Sequence, residues 1–278
     1  MTSAAAGRPS VVDPRAVVDG RAELGPGVEI GPFAVIGAGV RLAGACRVGP
    51  HAVIEGSTTV GPRTRIGAHA VVGGWPQLRG ALLPGRLVIG ADNDLREHVT
   101  VHRGGSADGE TLLGDGNLLM AYSHVGHDAR LGDGCELANG AQLGGHCVLG
   151  DNVTIGGLAA VHQHVQVGAL AMVGGGSMVT QDVLPFSLVC GDRARCYGSN
   201  AVGLRRHGFS AERRRRIAAA LRVLLRLDPR VLSVERLLAE HGDDADVALL
   251  LAFVRHSRRG LCRAAHLRPS ACAADEVS

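Results

Sequence analysis

Aliphatic residues return at every sixth position from Val12 to Val179, and glycine or another small residue often follows them. The register runs in three blocks, through Val12, Val18, Leu24, Ile30, Ile36, Leu42, Val48, Ile54, Val60, Ile66 and Val72, then Ile89, Leu95 and Val101, then Leu113, Leu119, Val125, Leu131, Leu137, Leu143, Leu149, Ile155, Val161, Val167, Val173 and Val179. A period of six fits neither an α-helix nor a simple strand. It predicts a short strand and a turn, repeated many times.

Three hexapeptides complete one coil of the chain, so the pattern predicts a triangular prism of stacked coils, a parallel β-helix. The aliphatic residue of each hexapeptide would face the interior, and the corners would need residues that accept a positive φ or a close backbone approach. The composition agrees with a thin, repetitive core, because 41 of the 278 residues are Gly and only seven are aromatic. We assign residues 1–190 to this all-β domain.

Two segments interrupt the hexapeptides, residues 73–88 (GGWPQLRGALLPGRLV) and residues 102–112 (HRGGSADGETL). Loops that leave a rigid scaffold often carry binding or catalytic residues. We expect both segments to be such loops, with a harmless insertion as the alternative.

Helical patterns replace the hexapeptides after about residue 190. One helix is predicted to begin after Ser210, a suitable N-cap, with an apolar stripe formed by Ile217, Leu221, Leu224 and Leu225. A second helix is predicted after Ser233, and a third through DVALLLAFVRHSRR, ending at Gly260. We assign residues 191–262 to a small α-helical domain and residues 263–278 to a disordered tail.

Positive charge is concentrated in the C-terminal part of the chain. The net charge is only +3, but residues from 191 onward contain 17 arginines and 10 acidic residues. Arg213 to Arg216 occupy the first turn of a predicted helix, where the helix dipole disfavours positive charge. An acidic partner would offset that cost, and a solvated basic face is the alternative. The scarcity of aromatic residues disfavours nucleic acid as a ligand.

The composition also excludes several classes of protein. The chain contains no Lys, which rules out Schiff-base catalysis through lysine. The first residues, MTSAAAGRPSVV, do not resemble a signal peptide, and no apolar run is long enough to span a bilayer, so we expect a cytoplasmic protein. The seven cysteines form no CxxC pair, and we expect buried thiols and neither a disulfide framework nor a zinc ribbon.

A set of histidines falls near one corner of successive coils. The separations between His127, His146 and His162 are each close to the length of one coil, and His124 and Gln163 lie beside them. Successive coils are about 4.8 Å apart, so the imidazoles would form a column. Asp128 follows His127 and could orient it as a general base. Zinc is the competing use of clustered histidines, but a column would spread the ligands instead of converging them.

Several strings resemble one family, the UDP-N-acetylglucosamine O-acyltransferases that begin lipid A biosynthesis. They are REHVTVHRG, NLLMAYSHVGHD, LANGAQLGGH, GGLAAVHQHVQVG, GGGSMVTQDV, NAVGLRRHGFS and SRRGLCR, spread over residues 96–263. The resemblance, which extends from residue 12 to about residue 260, implies a left-handed β-helix and a homotrimer with sites between subunits. It further implies transfer of a 3-hydroxyacyl chain from acyl carrier protein to the sugar 3-hydroxyl of UDP-N-acetylglucosamine. The donor would be the phosphopantetheine thioester of the carrier, with no other cofactor and no metal.

The resemblance also assigns roles to individual residues. His127 would be the general base, Asp128 would orient it, and the Gly145 N–H would face the oxyanion. The substrate-binding residues would be His102, His124, His146, His162, Gln163, Gln77 and Arg79, with Asn200 and Arg206 holding the uridine diphosphate. Gly175 would form the floor of the acyl-chain groove.

This chain departs from the family pattern at three places. It reads Pro76-Gln77-Leu78-Arg79-Gly80 where the family has Pro-Gln-Asp followed by Lys and Tyr, so the carboxylate that grips the sugar is missing. Val202 replaces a Glu that contacts the nucleotide, and His207 replaces one of a basic pair.

Three alternatives follow from the residues and from these departures. The same chemistry could act on a different sugar nucleotide, such as a 3-amino sugar. The prism could belong to a zinc enzyme like the γ-carbonic anhydrases, although the HxxHD spacing and the helical C-terminus disfavour this alternative. The chain could also be a non-catalytic hexapeptide scaffold.

Overall fold

The computed structural model describes residues 9–80, 83–226 and 243–265, and these residues form three sheets and three helices. Sheet A contains Val11–Val12, Glu29–Ile30, Arg47–Val48, Arg65–Ile66, Asp94–Leu95, Leu118–Leu119, Glu136–Leu137, Thr154–Ile155, Met172–Val173, Ser187–Cys190 and Arg195–Ser199. Sheet B contains Val17–Val18, Val35–Ile36, Val53–Ile54, Val71–Gly74, Thr100–His102, His124–Val125, Gln142–Leu143, Ala160–Val161 and Met178–Val179. Sheet C contains Glu23–Leu24, Val40–Leu42, Thr58–Val60, Arg86–Ile89, Glu110–Leu113, Arg130–Leu131, Val148–Leu149 and Gln166–Val167.

The chain passes from sheet A to B to C and back to A in every coil, so the three sheets are the faces of a triangular prism. All strand pairs are parallel except the last in sheet A, in which Ser187–Cys190 and Arg195–Ser199 run antiparallel. This architecture confirms the predicted parallel β-helix.

The aliphatic residue of each hexapeptide fills the interior, as predicted. From Ile30 to Val179 every residue of the predicted register is buried, whereas Val12 is exposed and Val18 and Leu24 are half-buried at the open end of the prism. The two interrupting segments leave the aliphatic residues in register, because Val72 pairs with Val101 and Val101 pairs with Val125, and the one shift is a bulge between Val72 and Gly74 where the first segment begins. The loops therefore leave a continuous ladder.

The three corners of the prism define three edges. At the AB edge, where the chain passes from sheet A to sheet B, the left-handed residues are Phe33, His51, His69, His98, Tyr122, Gly140, Leu158 and Gly176. At the BC edge they include Gly56, Gly73, Asp128, His146 and His164, and at the CA edge Gly27, Ala45, Arg63, Asp92, Gly116, Gly134, Asn152, Leu170 and Phe186. Gly accepts this conformation freely, and His, Asp and Asn adopt it more often than most residues.

Stacked rings along the AB edge reproduce the spacing of the coils. The rings from Phe33 through three histidines to Tyr122 stack in succession, with centroids 4.6–5.0 Å apart. That spacing is close to the separation of neighbouring strands. Each edge is thus a regular ladder of residues, one from each coil.

Helices and a buried carboxylate close the C-terminal end of the prism. Helix α1 is Ala201–Arg206, α2 is Ala211–Arg226 and α3 is Ala245–His256. Their apolar residues pack against Leu184 and Phe186 at the last coil. Fully buried Asp182 accepts hydrogen bonds from Ser257 Oγ at 2.6 Å and from two backbone N–H groups that follow α3 at 3.1 and 3.2 Å.

Two of the three predicted helices lie within the described residues, as α2 and α3. Ser210 Oγ accepts a hydrogen bond from the Arg213 N–H, as an N-cap does, and Gly260 has the positive φ expected after α3. The pattern did not predict α1. Sheet A continues to Ser199, beyond residue 190, where we placed the end of the first domain.

Parts of the C-terminal prediction lie outside the described residues, namely the helix after Ser233 and the tail after residue 265. Residues 263–265, the first three of the predicted tail, are ordered, because Arg263 and Ala265 form backbone hydrogen bonds with Cys196.

The described cysteines are mostly buried thiols, as expected. Cys46, Cys135, Cys147, Cys196 and Cys262 are free and buried. Cys190 is disulfide-bonded, which the sequence did not predict. No described helix is long and apolar enough to cross a membrane.

We predict that Leu137→Ala lowers the free energy of unfolding by about 2–5 kcal/mol, because it leaves a cavity in a core that has no room to collapse. Leu24→Ala is the matched control at the half-buried open end and should cost clearly less. Urea denaturation at one fixed protein concentration measures both. Equal losses in the two variants would contradict the packing described here.

Candidate active site

Both interrupting loops leave the prism at the BC edge. The chain ends strands of sheet B at Gly74 and at His102, and enters sheet C at Arg86 and at Glu110. The histidine column lies on the same edge, since Asp128, His146 and His164 occupy its corner in successive coils. The structure therefore brings together the two features that the sequence singled out separately.

His127 and Asp128 form a hydrogen-bonded pair at this edge. His127 Nδ1 lies 2.7 Å from Asp128 Oδ2, and the imidazole is largely buried. A carboxylate at Nδ1 favours the tautomer that carries its proton there and leaves Nε2 free to accept one. The geometry is that of an oriented general base.

Gly145 lies directly under the imidazole of His127. A Cβ added to Gly145 would come within 2.5 Å of His127 Nε2, so only glycine leaves the ring in this position. The neighbouring backbone donors are used between coils, Gly144 N–H to the Val161 carbonyl and His146 N–H to the His127 carbonyl, but the Gly145 N–H has no hydrogen-bond partner among the described residues. The residue that packs against His127 Nε2 thus has a free backbone donor.

The second loop holds Asp128 in place. Gly105 N–H donates to Asp128 Oδ2 at 2.9 Å, and the N–H of Asp128 donates to Thr111 Oγ1 at 2.8 Å. A Cβ at Gly109 would lie 2.6 Å from Asp128 Oδ1, so that glycine also allows a close approach. Sequence patterns did not identify these three residues, although the glycines of HRGGSADG were the available signal.

The other members of the column surround this pair to different degrees. The His146 ring meets the His127 ring edge-on at 5.0 Å and stacks on His164 at 4.5 Å. His162 and Gln163 lie exposed on the next coil, and His162 Nδ1 is 3.1 Å from the Gln163 carbonyl. All four side chains remain accessible to a ligand on this edge.

His102 and His124 form a more enclosed pair at the end of sheet B. Their rings meet edge-on at 4.8 Å, and His124 Nδ1 is hydrogen-bonded to Thr100 Oγ1 at 2.7 Å. Buried His102 Nδ1 has no hydrogen-bond partner among the described residues. Burial lowers the pKa of His102 and lowers that of His124 to about 4, so both imidazoles are neutral at pH 7.

The first loop carries Gln77 and Arg79, both of which are exposed. Between them Leu78 packs beside Gly105. Trp75 at the base of the loop faces the guanidinium of Arg103 at 5.5 Å. Leu78 is itself 42% exposed, so the loop turns only part of this apolar side chain toward Gly105 of the second loop.

Three predicted site residues lie elsewhere on the prism. Gly175 is at the AB edge, next to Gly157 of the preceding coil. Asn200 caps α1 and binds the Leu170 carbonyl at the CA edge, and exposed Arg206 ends the same helix. Within one chain these residues are not on the edge that carries His127.

The site also has the composition of a metal site. Ligand atoms of His127, Asp128 and His146 all lie within 4.8 Å of one another, with His146 Nε2 3.7 Å from Asp128 Oδ2. The expectation that the column would spread such ligands apart is therefore wrong for these three. Two imidazoles and a carboxylate suit Zn²⁺ with an open position.

The basic cluster of the second helix is largely used within the fold. Arg213 forms a bidentate pair with Asp246, and Arg216 pairs with Glu212 and Asp244. These contacts within the chain offset the unfavourable helix-dipole interaction, for which the sequence left an acidic partner and a solvated face as alternatives. Only Arg214 and Arg215 of the four have no acidic partner among the described residues.

We predict that His124 makes the protein less stable as the pH falls below 6.5. The pKa of this histidine is near 6.5 in the unfolded chain and about 4 in the folded protein. The stability that neutral His124 contributes is therefore fully present above pH 6.5 and is lost as the pH falls from 6.5 to about 4. The free energy of unfolding should therefore drop between pH 7.5 and pH 5, and His124→Asn should reduce the drop. An identical drop in the variant would contradict the buried, neutral state of this imidazole.

Family models match two parts of the chain. One, described as UDP-N-acetylglucosamine O-acyltransferase, domain 2, matches residues 182–262. The other, described as bacterial transferase hexapeptide (six repeats), matches residues 110–145. The first spans the helices and the last coils, and the second spans the coils that carry His127 and Asp128.

Individual proteins match over larger parts. The chain is 47% identical over 184 residues to the acyl-acyl-carrier-protein–UDP-N-acetylglucosamine O-acyltransferase of Alkalilimnicola ehrlichii, a match that covers 65% of this chain and 70% of that protein. Its fold matches the UDP-N-acetylglucosamine acyltransferase of Campylobacter jejuni with a TM-score of 0.86 and 34% identity, over 91% of this chain and all of that one. The Arabidopsis enzyme of the same name matches with a TM-score of 0.80 and 32% identity, over 91% and 100% of the two chains.

These likenesses confirm the left-handed β-helix and the family that the sequence motifs indicated. The chain belongs to the UDP-N-acetylglucosamine O-acyltransferase family and is an acyltransferase.

Proposed function

We propose that this enzyme transfers a 3-hydroxyacyl chain from acyl carrier protein to the 3-hydroxyl of UDP-N-acetylglucosamine, with His127 as the general base. The observation that carries the proposal is the packing of Gly145, whose N–H has no partner among the described residues, against His127 Nε2 at the BC edge. His127 Nε2 suits deprotonation of a hydroxyl, and the Gly145 N–H suits stabilisation of an oxyanion. Ester formation from a thioester needs both.

The reaction proceeds in two steps. His127 Nε2 takes the proton of the sugar hydroxyl as its oxygen bonds to the thioester carbonyl carbon, and the carbonyl π-electrons move to oxygen to give a tetrahedral oxyanion. The intermediate collapses, the carbon–sulfur bond breaks, and the departing thiolate takes the proton from the imidazolium. The products are the acylated sugar nucleotide and the free thiol of the carrier.

Neighbouring groups support each step. Asp128 stabilises the imidazolium through the Nδ1 hydrogen bond, while Gly105 and Thr111 hold Asp128. The Gly145 N–H faces the oxyanion, an interaction whose removal costs about 3–4 kcal/mol of transition-state stabilisation in other acyl-transfer enzymes. His102, His124, His146, His162 and Gln163 line the sugar and acyl site, together with Gln77 and Arg79 of the first loop.

The donor brings its own thioester, so the proposal requires neither a metal nor a resident cofactor. The reaction is the first step of lipid A biosynthesis. Nucleotide sugars and acyl carrier proteins are cytoplasmic, which is where we place the enzyme.

A homotrimer would complete the site. Asn200 and Arg206, proposed to hold the uridine diphosphate, and Gly175, proposed to floor the acyl groove, lie away from the BC edge of their own chain. A flat-sided prism packed against copies of itself would set the BC edge of one subunit against another edge or helix of its neighbour. The proposed site is therefore shared between subunits.

We predict that His127→Ala lowers kcat for acyl transfer by about 10²- to 10⁴-fold, because the attacking hydroxyl loses its base. Product formation from 3-hydroxyacyl carrier protein and UDP-N-acetylglucosamine would be followed by mass spectrometry. His51→Ala, which removes an exposed imidazole from the AB edge, is the matched control and should keep wild-type activity.

Two results of that assay would contradict the proposal. A wild-type rate in His127→Ala would show that His127 is not the general base. If the enzyme acylated a 3-amino sugar nucleotide and not UDP-N-acetylglucosamine, the role of His127 would stand but the proposed acceptor would be wrong.

We predict that mixed trimers of His127→Ala and Arg206→Ala subunits regain activity that neither variant has alone. Random mixing in equal amounts gives about a quarter of the sites an intact His127 and an intact Arg206 from two different subunits. Co-expression with two purification tags, followed by the transfer assay, measures the recovery. Activity no greater than the mean of the two variants would show that each site belongs to one chain.

A further inference from the structure

Two loops that are distant in sequence meet at the His127–Asp128 hydrogen bond. A Cβ built on Gly105 would lie 2.8 Å from Leu78 Cδ1, 2.9 Å from Asp128 Oδ2 and 3.0 Å from His127 Nδ1. The three atoms therefore surround one point beside the Cα of Gly105. A methyl group of Leu78, a side chain that is 42% exposed, thus packs on Gly105 at the same point as the two atoms that share the proton.

Contacts within the fold hold Leu78 at this point. Its N–H donates to the carbonyl of buried Pro76 at 2.9 Å, which closes a tight turn. Trp75, just before that turn, faces the guanidinium of Arg103. These two contacts hold residues 75–78 of the loop against the fold.

Arg103 is an unusual anchor for such a loop. It is only 7% exposed, its Nε has no hydrogen-bond partner, and it has no salt bridge to a described carboxylate. Burial lowers the pKa of this guanidinium. A Cβ on Gly56 would overlap the guanidinium, so the fold reserves space for it against the indole of Trp75.

We propose that Leu78 is a positioning residue for the reaction, because it covers the His127–Asp128 hydrogen bond and keeps water from it. A hydrogen bond between a carboxylate and an imidazole is stronger where water is excluded. The cover therefore maintains the tautomer in which Nε2 accepts the substrate proton. The inference rests on the proposed role of His127 as the base.

An apolar residue at position 78 also adds no charge beside the dyad. Asp128 is the carboxylate that touches His127, and the side chain from the first loop adds none. A carboxylate at position 78 would stand beside the same imidazole and favour its protonated form. That form cannot accept a proton, so an acidic residue here would shift activity to higher pH.

The first test compares Leu78→Asp with Leu78→Asn, two variants that differ in charge and hardly in shape. The measurement is the pH dependence of kcat/KM for transfer to the sugar nucleotide that the wild type acylates. We expect the acid limb of Leu78→Asp to lie about one pH unit above that of Leu78→Asn, the effect of a carboxylate within about 4–6 Å. Coincident limbs would overturn the placement of Leu78 at the dyad.

The second test removes the cover without adding a polar group. Leu78→Ala should lower kcat about tenfold and leave the KM of the sugar nucleotide within about twofold, because the base is weakened and sugar contacts remain. Leu83→Ala, in the same loop and 75% exposed, is the matched control and should resemble the wild type. A change in KM alone would make Leu78 a sugar contact and overturn the proposal.

The failure of this inference differs from failure of the proposed function. If His127→Ala kept wild-type transfer, both the assignment of His127 as the base and the positioning role of Leu78 would be wrong. If transfer depended on His127 while the Leu78 variants behaved like Leu83→Ala, only the cover would be wrong. Thermal unfolding of each variant separates loss of fold from loss of positioning.

Discussion

The burial of one aliphatic side chain per hexapeptide is the constraint on which this structure depends. Each such residue packs against its equivalents one coil above and below, as Leu119 does between Leu95 and Leu137. A slip by one residue would turn this side chain outward, so the interior fixes the register of every coil. The corners then repeat at the strand spacing, and residues one coil apart become neighbours.

The catalytic arrangement follows from that register and not from a local motif. Gly145 lies beneath His127 because it follows three hexapeptides later, at the same corner of the next coil. The loop that carries Gly105 leaves the corner directly before the coil of Asp128, and its backbone N–H reaches the carboxylate. In the proposed mechanism the prism supplies the base and the oxyanion donor, and the loops supply their orientation and cover.

Much of this was readable from the sequence. The period of six predicted the prism, the buried register and the coil spacing, and that spacing predicted that His127, Asp128 and His146 share an edge. The sequence could not show which way the loops fold back, so the contacts of Gly105 and Thr111 with Asp128 and the packing of Leu78 on Gly105 were missed. A hydrogen bond that a backbone N–H donates, or that a threonine hydroxyl accepts, leaves no periodic pattern in the sequence.

Two other features depended on three-dimensional distances. The ligand atoms of the column converge more closely than coil spacing alone suggests, because the His146 side chain turns toward Asp128. The arginines of the second helix find partners near the start of α3, which is far from them in sequence. The family resemblance supplied Asn200, Arg206 and Gly175. The fold places these residues away from the BC edge, so a single chain does not bring them to His127.

Transfer of the acyl group at one point on the BC edge is central to this description of the enzyme. A crystal structure with the acylated sugar nucleotide bound tests it most directly. We expect the ester-forming sugar oxygen within hydrogen-bond distance of His127 Nε2 and the acyl carbonyl oxygen facing the Gly145 N–H. A product bound away from this edge, with His127 Nε2 in contact with neither oxygen, would contradict that expectation.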